Sequence, residues 1–185
     1  MTDSDSILVA YASKHGATAE IAERIAETLR GSGCPAKAVP AEAVSDLSGY
    51  RAVVLGSAVY MARWRREARR LARRHQNELR TMPVWLFSSG PLDSPKEKPN
   101  AYKPPPGAKR ISKRLGAREH VVFGGRVPPQ PGNPIERAIV RNTPPERRDA
   151  RDWEAIDAWA RSIAADVPAA VAEVTAPAGT AGRRR

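Results

Sequence analysis

The sequence predicts a doubly wound α/β domain on a mainly parallel sheet, and three observations carry that reading. Short apolar runs suited to strands buried on both faces alternate with segments whose apolar residues recur at helical spacing. The 185 residues are the size of one domain with a real core. The first apolar run passes through a short Ser/Gly/Thr turn straight into a helix, the connection on which open α/β sheets build ligand sites.

Ile7-Leu8-Val9-Ala10-Tyr11 is the first strand, bounded by polar residues. Ile21, Ala22, Ile25, Ala26 and Leu29 then form one helical stripe, which Gly31 and Gly33 end. Residues 34–40 give a weakly signalled second strand, and Ala52-Val53-Val54-Leu55-Gly56 a very clear third. Trp64, Ala68, Leu71, Ala72, His75 and Leu79 mark a second amphipathic helix whose other positions are mostly arginine. Val84-Trp85-Leu86-Phe87, introduced by Pro83, is the fourth strand and Val121-Val122-Phe123-Gly124 the fifth. Trp153, Ile156, Trp159, Ala160, Ile163 and Val167 give the last helix, with Asp152 as its expected N-cap.

Two segments interrupt the alternation. Residues 90–118, rich in Pro, Gly, Lys and Arg, read as a long basic insertion before the fifth strand, and residues 128–150 as a Pro- and Arg-rich connection. Residues 176–185 read as a disordered basic tail, leaving 1–175 as the domain.

The net charge of +11 is unevenly placed. Residues 1–62 hold five Lys/Arg against seven Asp/Glu, residues 63–151 hold 22 against 8, and residues 152–185 hold four against five. The middle block alone carries +14, which calls for an acidic partner: an anionic membrane surface, a carboxylate-bearing substrate or nucleic acid. No aromatic–basic interleaving or DNA-binding module is visible, so nucleic acid is set aside. No run of 18 apolar residues and no signal-peptide pattern occurs, and the lone Cys34 reads as a small half-buried residue; a reducing cytoplasm is the expected setting.

Ser13-Lys14-His15-Gly16-Ala17-Thr18 is the turn after the first strand. It feeds a helix N-terminus, whose unpaired N–H groups and dipole attract an anion. Gly16 lets the backbone close around an oxyanion, and Ser13 and Thr18 bring hydroxyls. The pattern is neither G-x-G-x-x-G nor the nucleoside-triphosphate loop. Read alone, it is equally a capped helix start. His75 and His120 read as structural, and the three dispersed histidines show neither metal-ligand spacing nor a defensible Ser-His-Asp set.

These residues resemble the flavodoxin family. Ser13 to Thr18 matches its FMN-phosphate loop. Gly56-Ser57-Ala58-Val59-Tyr60-Met61 matches the loop flanking one face of the isoalloxazine, and Ser88-Ser89-Gly90-Pro91 the start of the third flavin-contacting loop. The resemblance spans roughly residues 7–170 and implies a flavodoxin-like five-stranded parallel sheet of order 2-1-3-4-5 holding FMN. Its implied FMN contacts are Ser13, Lys14, His15, Gly16, Ala17, Thr18, Ser57, Ala58, Val59, Tyr60, Ser88, Ser89 and Gly90. Tyr60 is the best stacking wall, with Trp64 second, though Trp64 reads equally as a core anchor. Gly56 and Gly90 read as small residues that admit the cofactor.

Within the family the sequence is most similar to menaquinone-dependent protoporphyrinogen oxidases of heme biosynthesis, through the basic helix after Tyr60, "RTMPVWLFSSG", the basic insertion and "DWEAIDAWARSIA". That branch implies an enzyme passing electrons from protoporphyrinogen IX through FMN to a quinone. The basic region would attract such an anionic substrate, or an anionic leaflet beside a quinone pool, which makes a peripheral seat at the inner face of the membrane the matching expectation. A flavodoxin-type electron carrier docking to an acidic redox partner is the alternative, and a basic adaptor domain without flavin a third.

Overall fold

The computed structural model describes residues 6–90, 103–128 and 130–175. The expected basic tail at 176–185, Pro91, and Lys96 and Lys98 lie outside these residues. The elements follow in the order β1 (Ser6–Ala12), α1 (Ala17–Gly31), β2 (Ala36–Pro40), β3 (Tyr50–Tyr60), β4 (Arg63–Trp64), α2 (Arg66–Arg74), α3 (Gln76–Leu79), β5 (Val84–Ser89), α4 (Pro106–Leu115), β6 (Glu119–Phe123), α5 (Pro134–Asn142) and α6 (Trp153–Thr175). A 3-10 turn, Pro145–Arg147, precedes α6.

The sheet runs β2-β1-β3-β5-β6 with every neighbour parallel, which is the expected 2-1-3-4-5 order. The short β4 lies off this path as an antiparallel partner of β3. Both faces are covered, as period-2 alternation in β1 requires. Ile7 and Val9 join Ile21, Ile25, Leu29, Val54, Phe87, Ile156 and Ile163 beneath α1 and α6. Leu8 and Ala10 join Val53, Leu55, Leu71, Leu86, Ile111 and Leu115 beneath α2 and α4.

Three expectations are corrected. First, residues 106–115 are not part of an irregular insertion. They form the crossover helix α4, with Pro106 in its first turn and Gly116 (φ 67°) ending it. Ala108, Ile111 and Leu115 are its buried stripe, so the Lys/Arg-rich composition is that of its solvent side. Second, residues 134–142 are a helix, α5, begun by Asn133 accepting the Glu136 N–H at 2.9 Å. Third, Trp64 starts no helix. It sits in β4, 2 % exposed, and its indole N–H donates to Ser88 Oγ at 2.8 Å. It is core. Asp152 does cap α6, its carboxylate accepting the Ala155 N–H at 3.0 Å.

Candidate functional site

The carboxyl ends of β1, β3 and β5 open into one cleft. Among its lining residues are Ser13, Lys14, Ala17 and Thr18 from the first loop, Val59, Tyr60 and Met61 from the β3–β4 turn, Ser89 and Gly90, and Ile135, Glu136 and Ile139 of α5. Its volume is about 220 Å³.

The loop is shaped as an anion seat. Gly16 adopts a left-handed φ of 85° as the N-cap of α1, a conformation that strains any residue with a Cβ. Its N–H donates to Ser13 Oγ at 3.1 Å, and no side chain caps the first turn of the fifteen-residue α1. The leading N–H groups are thus left without a side-chain cap. Ala17 and Thr18 belong to α1 and line the cleft; Thr18 is buried.

Tyr60 supplies the flat wall. β3 continues to Tyr60 because β4 pairs with it, Val59 opposite Trp64 and Tyr60 opposite Arg63. The two-residue turn between them, Met61 (φ 48°) and Ala62 (φ 57°), has both residues left-handed, the geometry of a type I′ hairpin. Neither is the Gly or Asn that turn favours, so each carries strain of order 1 kcal/mol. Tyr60 is held at the cleft, 37 % exposed, with Met61 projecting at 90 %. The Lys14 ammonium lies 5.1 Å from the centre of the Tyr60 ring. Burial, and then the nearby Glu136 charge, raises the Tyr60 phenol above its usual value.

Of the residues expected at the site, Ser13, Lys14, His15, Ala17, Thr18, Ala58, Val59, Tyr60, Ser89 and Gly90 come together around this cleft, and Gly16 shapes its loop. Ser57 and Ser88 do not face it. Ser57 Oγ accepts the Arg65 N–H at 2.9 Å, and Ser88 Oγ pairs with Trp64 and with His120 Nε2 at 2.9 Å; both serines are fully buried. Period 2 in β3 and β5 turns these two toward α2 and α4. Burial pushes the His120 imidazole down to about 4. Gly56 is small for a different reason than expected: a Cβ there would strike the Phe87 ring. Gly90 meets the backbone of the next loop, since a Cβ on Gly125 would lie 2.9 Å from Gly90 Cα.

The residues missed by sequence reasoning are those of α5 and its approach. Glu136 is 3 % exposed; its Oε1 takes the Lys14 ammonium and His15 Nε2 (3.0 Å), and its Oε2 accepts the Gly132 N–H at 2.7 Å. These partners, Lys14 first, hold its carboxyl at about 2. Asn133-Pro134-x-Glu136 is a helix-start signature that was there to be found. The loop that carries α5 is tied to α1 by Glu20, which receives Arg126 (2.6 Å) and Arg151 (2.6 Å), and Arg151 also grips Asp149.

An anion seat, a half-exposed aromatic ring and apolar rims at Met61, Ile135 and Ile139 fit a ligand with a phosphate at one end and a flat ring system at the other. The first turn of α1, which no side chain caps, opening beside that ring is the observation that decides this.

The family model described as Flavodoxin domain matches residues 8–152. No curated protein matches the chain. Among solved structures, the rubredoxin oxygen:oxidoreductase of Desulfovibrio gigas is similar at TM-score 0.60 and 15 % identity, covering 91 % of this chain; the chain spans 37 % of that protein's length. A cysteine-to-serine variant of the Pseudomonas aeruginosa flavodoxin is similar at TM-score 0.58 and 14 % identity, covering 88 % of this chain and 99 % of that one. Oxidised flavodoxin 2 of Bacillus cereus follows at TM-score 0.55 and 20 % identity, covering 87 % and 99 %.

Proposed function

The chain belongs to the flavodoxin family, whose cofactor is FMN, and from that premise we propose that it is an FMN-dependent oxidoreductase. In this reading it draws electrons from a reduced organic substrate, protoporphyrinogen IX by resemblance, and delivers them to a quinone. When bound, FMN supplies the redox chemistry. The chain's own residues bind and orient. Gly16 to Thr18 seat the phosphate, Tyr60 walls the ring, and Ala58, Val59 and Met61 exclude water along one side.

One observation supports an enzyme over a carrier. Among the described residues, four of the five exposed large apolar ones, Tyr60, Met61, Ile135 and Ile139, gather at the mouth of this cleft. A carrier needs only to expose a flavin edge, whereas an apolar shelf beside it accommodates a second hydrophobic molecule. The basic helices α2 and α4 would draw an anionic substrate, or seat the chain peripherally on an anionic membrane beside a quinone pool. The second reading, an electron carrier, is supported by alignments that span 99 % of the length of two flavodoxin chains.

The test is anaerobic. FMN-loaded protein is mixed with protoporphyrinogen IX and menaquinone, and porphyrin fluorescence is followed. Turnover well above the protein-free rate supports the enzyme; FMN binding without turnover leaves the carrier. A colourless protein that refuses added FMN overturns both.

A further inference from the structure

Helix α5 is held in an unusual way. Amphipathic surface helices dock by an apolar stripe, yet the single buried side chain of α5 is Glu136, while Ile135 and Ile139 stand 66 % and 37 % exposed beside the cleft. What ties α5 to the body of the protein on this side is therefore a carboxylate. Its two partners, Lys14 and His15, are the side chains of the phosphate loop that carry or can carry positive charge. Lys14 is thereby drawn across the Tyr60 ring, and the His15 ring stands 6.4 Å from that same ring. An internal anion already uses the cations of an anion-binding loop.

We propose that Glu136 competes with the cofactor's phosphate for Lys14 and His15, so that phosphate binding undocks α5. The inference rests on the reading of this cleft as an FMN site. A phosphomonoester seated on the Gly16–Thr18 N–H groups lies beside both side chains and carries more charge than a carboxylate. One anion replaces the other, and the Glu136 carboxylate, repelled by the phosphate, turns to water. The start of α5 then keeps its Asn133 cap and the Glu20–Arg126–Arg151 cluster on its approach, while Arg148 still holds the far end through the Val140 and Thr143 carbonyls. Riboflavin, which has the ring system without the phosphate, leaves the Glu136 contacts in place.

Two measurements on the full chain test this. In hydrogen–deuterium exchange read by mass spectrometry, FMN should raise exchange across 134–142 while riboflavin should not; inorganic phosphate at high concentration should act as FMN does. In flavin-fluorescence titrations, Glu136→Gln should raise the ratio of FMN to riboflavin affinity about tenfold, the size of one partly screened charge–charge interaction. Equal or greater protection of 134–142 with FMN overturns the proposal, as does an unchanged affinity ratio. The exchange experiment needs no variant, so a misfolded Glu136→Gln leaves it decisive. If neither flavin binds the wild-type protein, the FMN reading itself fails, an outcome distinct from both of these.

Discussion

The two faces of the sheet are built alike inside and differently outside. Beneath α1 and α6, and equally beneath α2 and α4, lies a continuous layer of Ile, Leu, Val, Trp and Ala. On the α1/α6 side the surface charges pair across elements. Arg24 clasps Asp157 through two 2.7 Å bonds, Arg118 reaches Asp166 at 2.9 Å, and Glu20 gathers Arg126 and Arg151. On the other side Arg66, Arg69, Arg70, Arg73 and Arg74 of α2, and Lys109, Arg110, Lys113 and Arg114 of α4, are all exposed. None of these nine forms a salt bridge with a described residue. One face uses its charges to hold the chain together. The other leaves these nine exposed to solvent.

If the cores are equivalent, breaking either should cost the same. Phe87→Ala on one side and Leu71→Ala on the other remove side chains 0 % and 3 % exposed. Losses of about 3–5 and 2–5 kcal/mol are expected from denaturant titration. A negligible cost for Leu71→Ala would show that α2 is loosely seated and that the comparison fails at its base.

The outer difference is tested next. Replacing Arg66, Arg69, Arg70 and Arg73 together by Gln should leave stability unchanged or slightly raised, because self-repulsion falls. Binding to vesicles containing phosphatidylglycerol should weaken roughly 10²–10³-fold at low salt, at about 1 kcal/mol for each residue near the surface. Unchanged vesicle binding would remove the membrane from the proposal and leave the small anionic substrate as the reason for the charge.

A half-buried imidazole on the basic side makes a third test. His120 is packed against Trp64 and held neutral, with its protonation pushed down to about 4 from an ordinary 6.5. The unfolded chain takes up the proton first, so stability is full above about pH 6.5 and declines as the pH falls toward 4, below which this contribution is flat. The loss is on the order of 3 kcal/mol. His120→Gln should flatten the melting-temperature profile between pH 6.5 and 4. An unaltered slope would assign the acid sensitivity to other groups.

How much of this could be read from sequence varies by region for physical reasons. β1 and α1 were legible because buried parallel strands are continuous apolar runs and the α1 stripe recurs at helical spacing, whereas the turn between them read equally as a capped helix start. α4 and α5 were hidden by their composition. In α4 three buried residues sit among Lys and Arg that solvent accepts at no cost, so overall polarity masked a helical stripe. In α5 the apolar Ile135, Ala138 and Ile139 recur at helical spacing but over barely one turn and are not buried, so Asn133, Pro134 and Glu136 were its clearer local marks. Gly56 was misassigned because a glycine that admits a ligand and one that admits a neighbouring phenyl ring look the same in one dimension. Glu136 could not have been paired with Lys14 by spacing, since 122 residues separate them.

The smallest expected effect is the sharpest measure of the difference between the faces. Arg24 and Arg70 are both helix-surface arginines, but Arg24 makes a bidentate contact with Asp157, whose carboxylate also accepts from Thr28 at 2.8 Å, so three groups of α1 and α6 are fixed together. That contact lowers the Asp157 carboxyl below its usual range, chiefly through Arg24. Arg24→Gln should therefore cost about 0.5–1 kcal/mol, the upper end for an ion pair that water still reaches. The cost should shrink at 1 M salt and on acidification through the carboxylate range, where Asp157 takes up its proton. Arg70→Gln should lie within about 0.5 kcal/mol of zero and, if anything, stabilise at low salt as its neighbours' repulsion eases. Chemical denaturation of both variants at two salt concentrations reads the comparison directly. Equal losses for the two would mean that Arg70 has an intramolecular role after all, and that the basic face is not held in reserve for a partner.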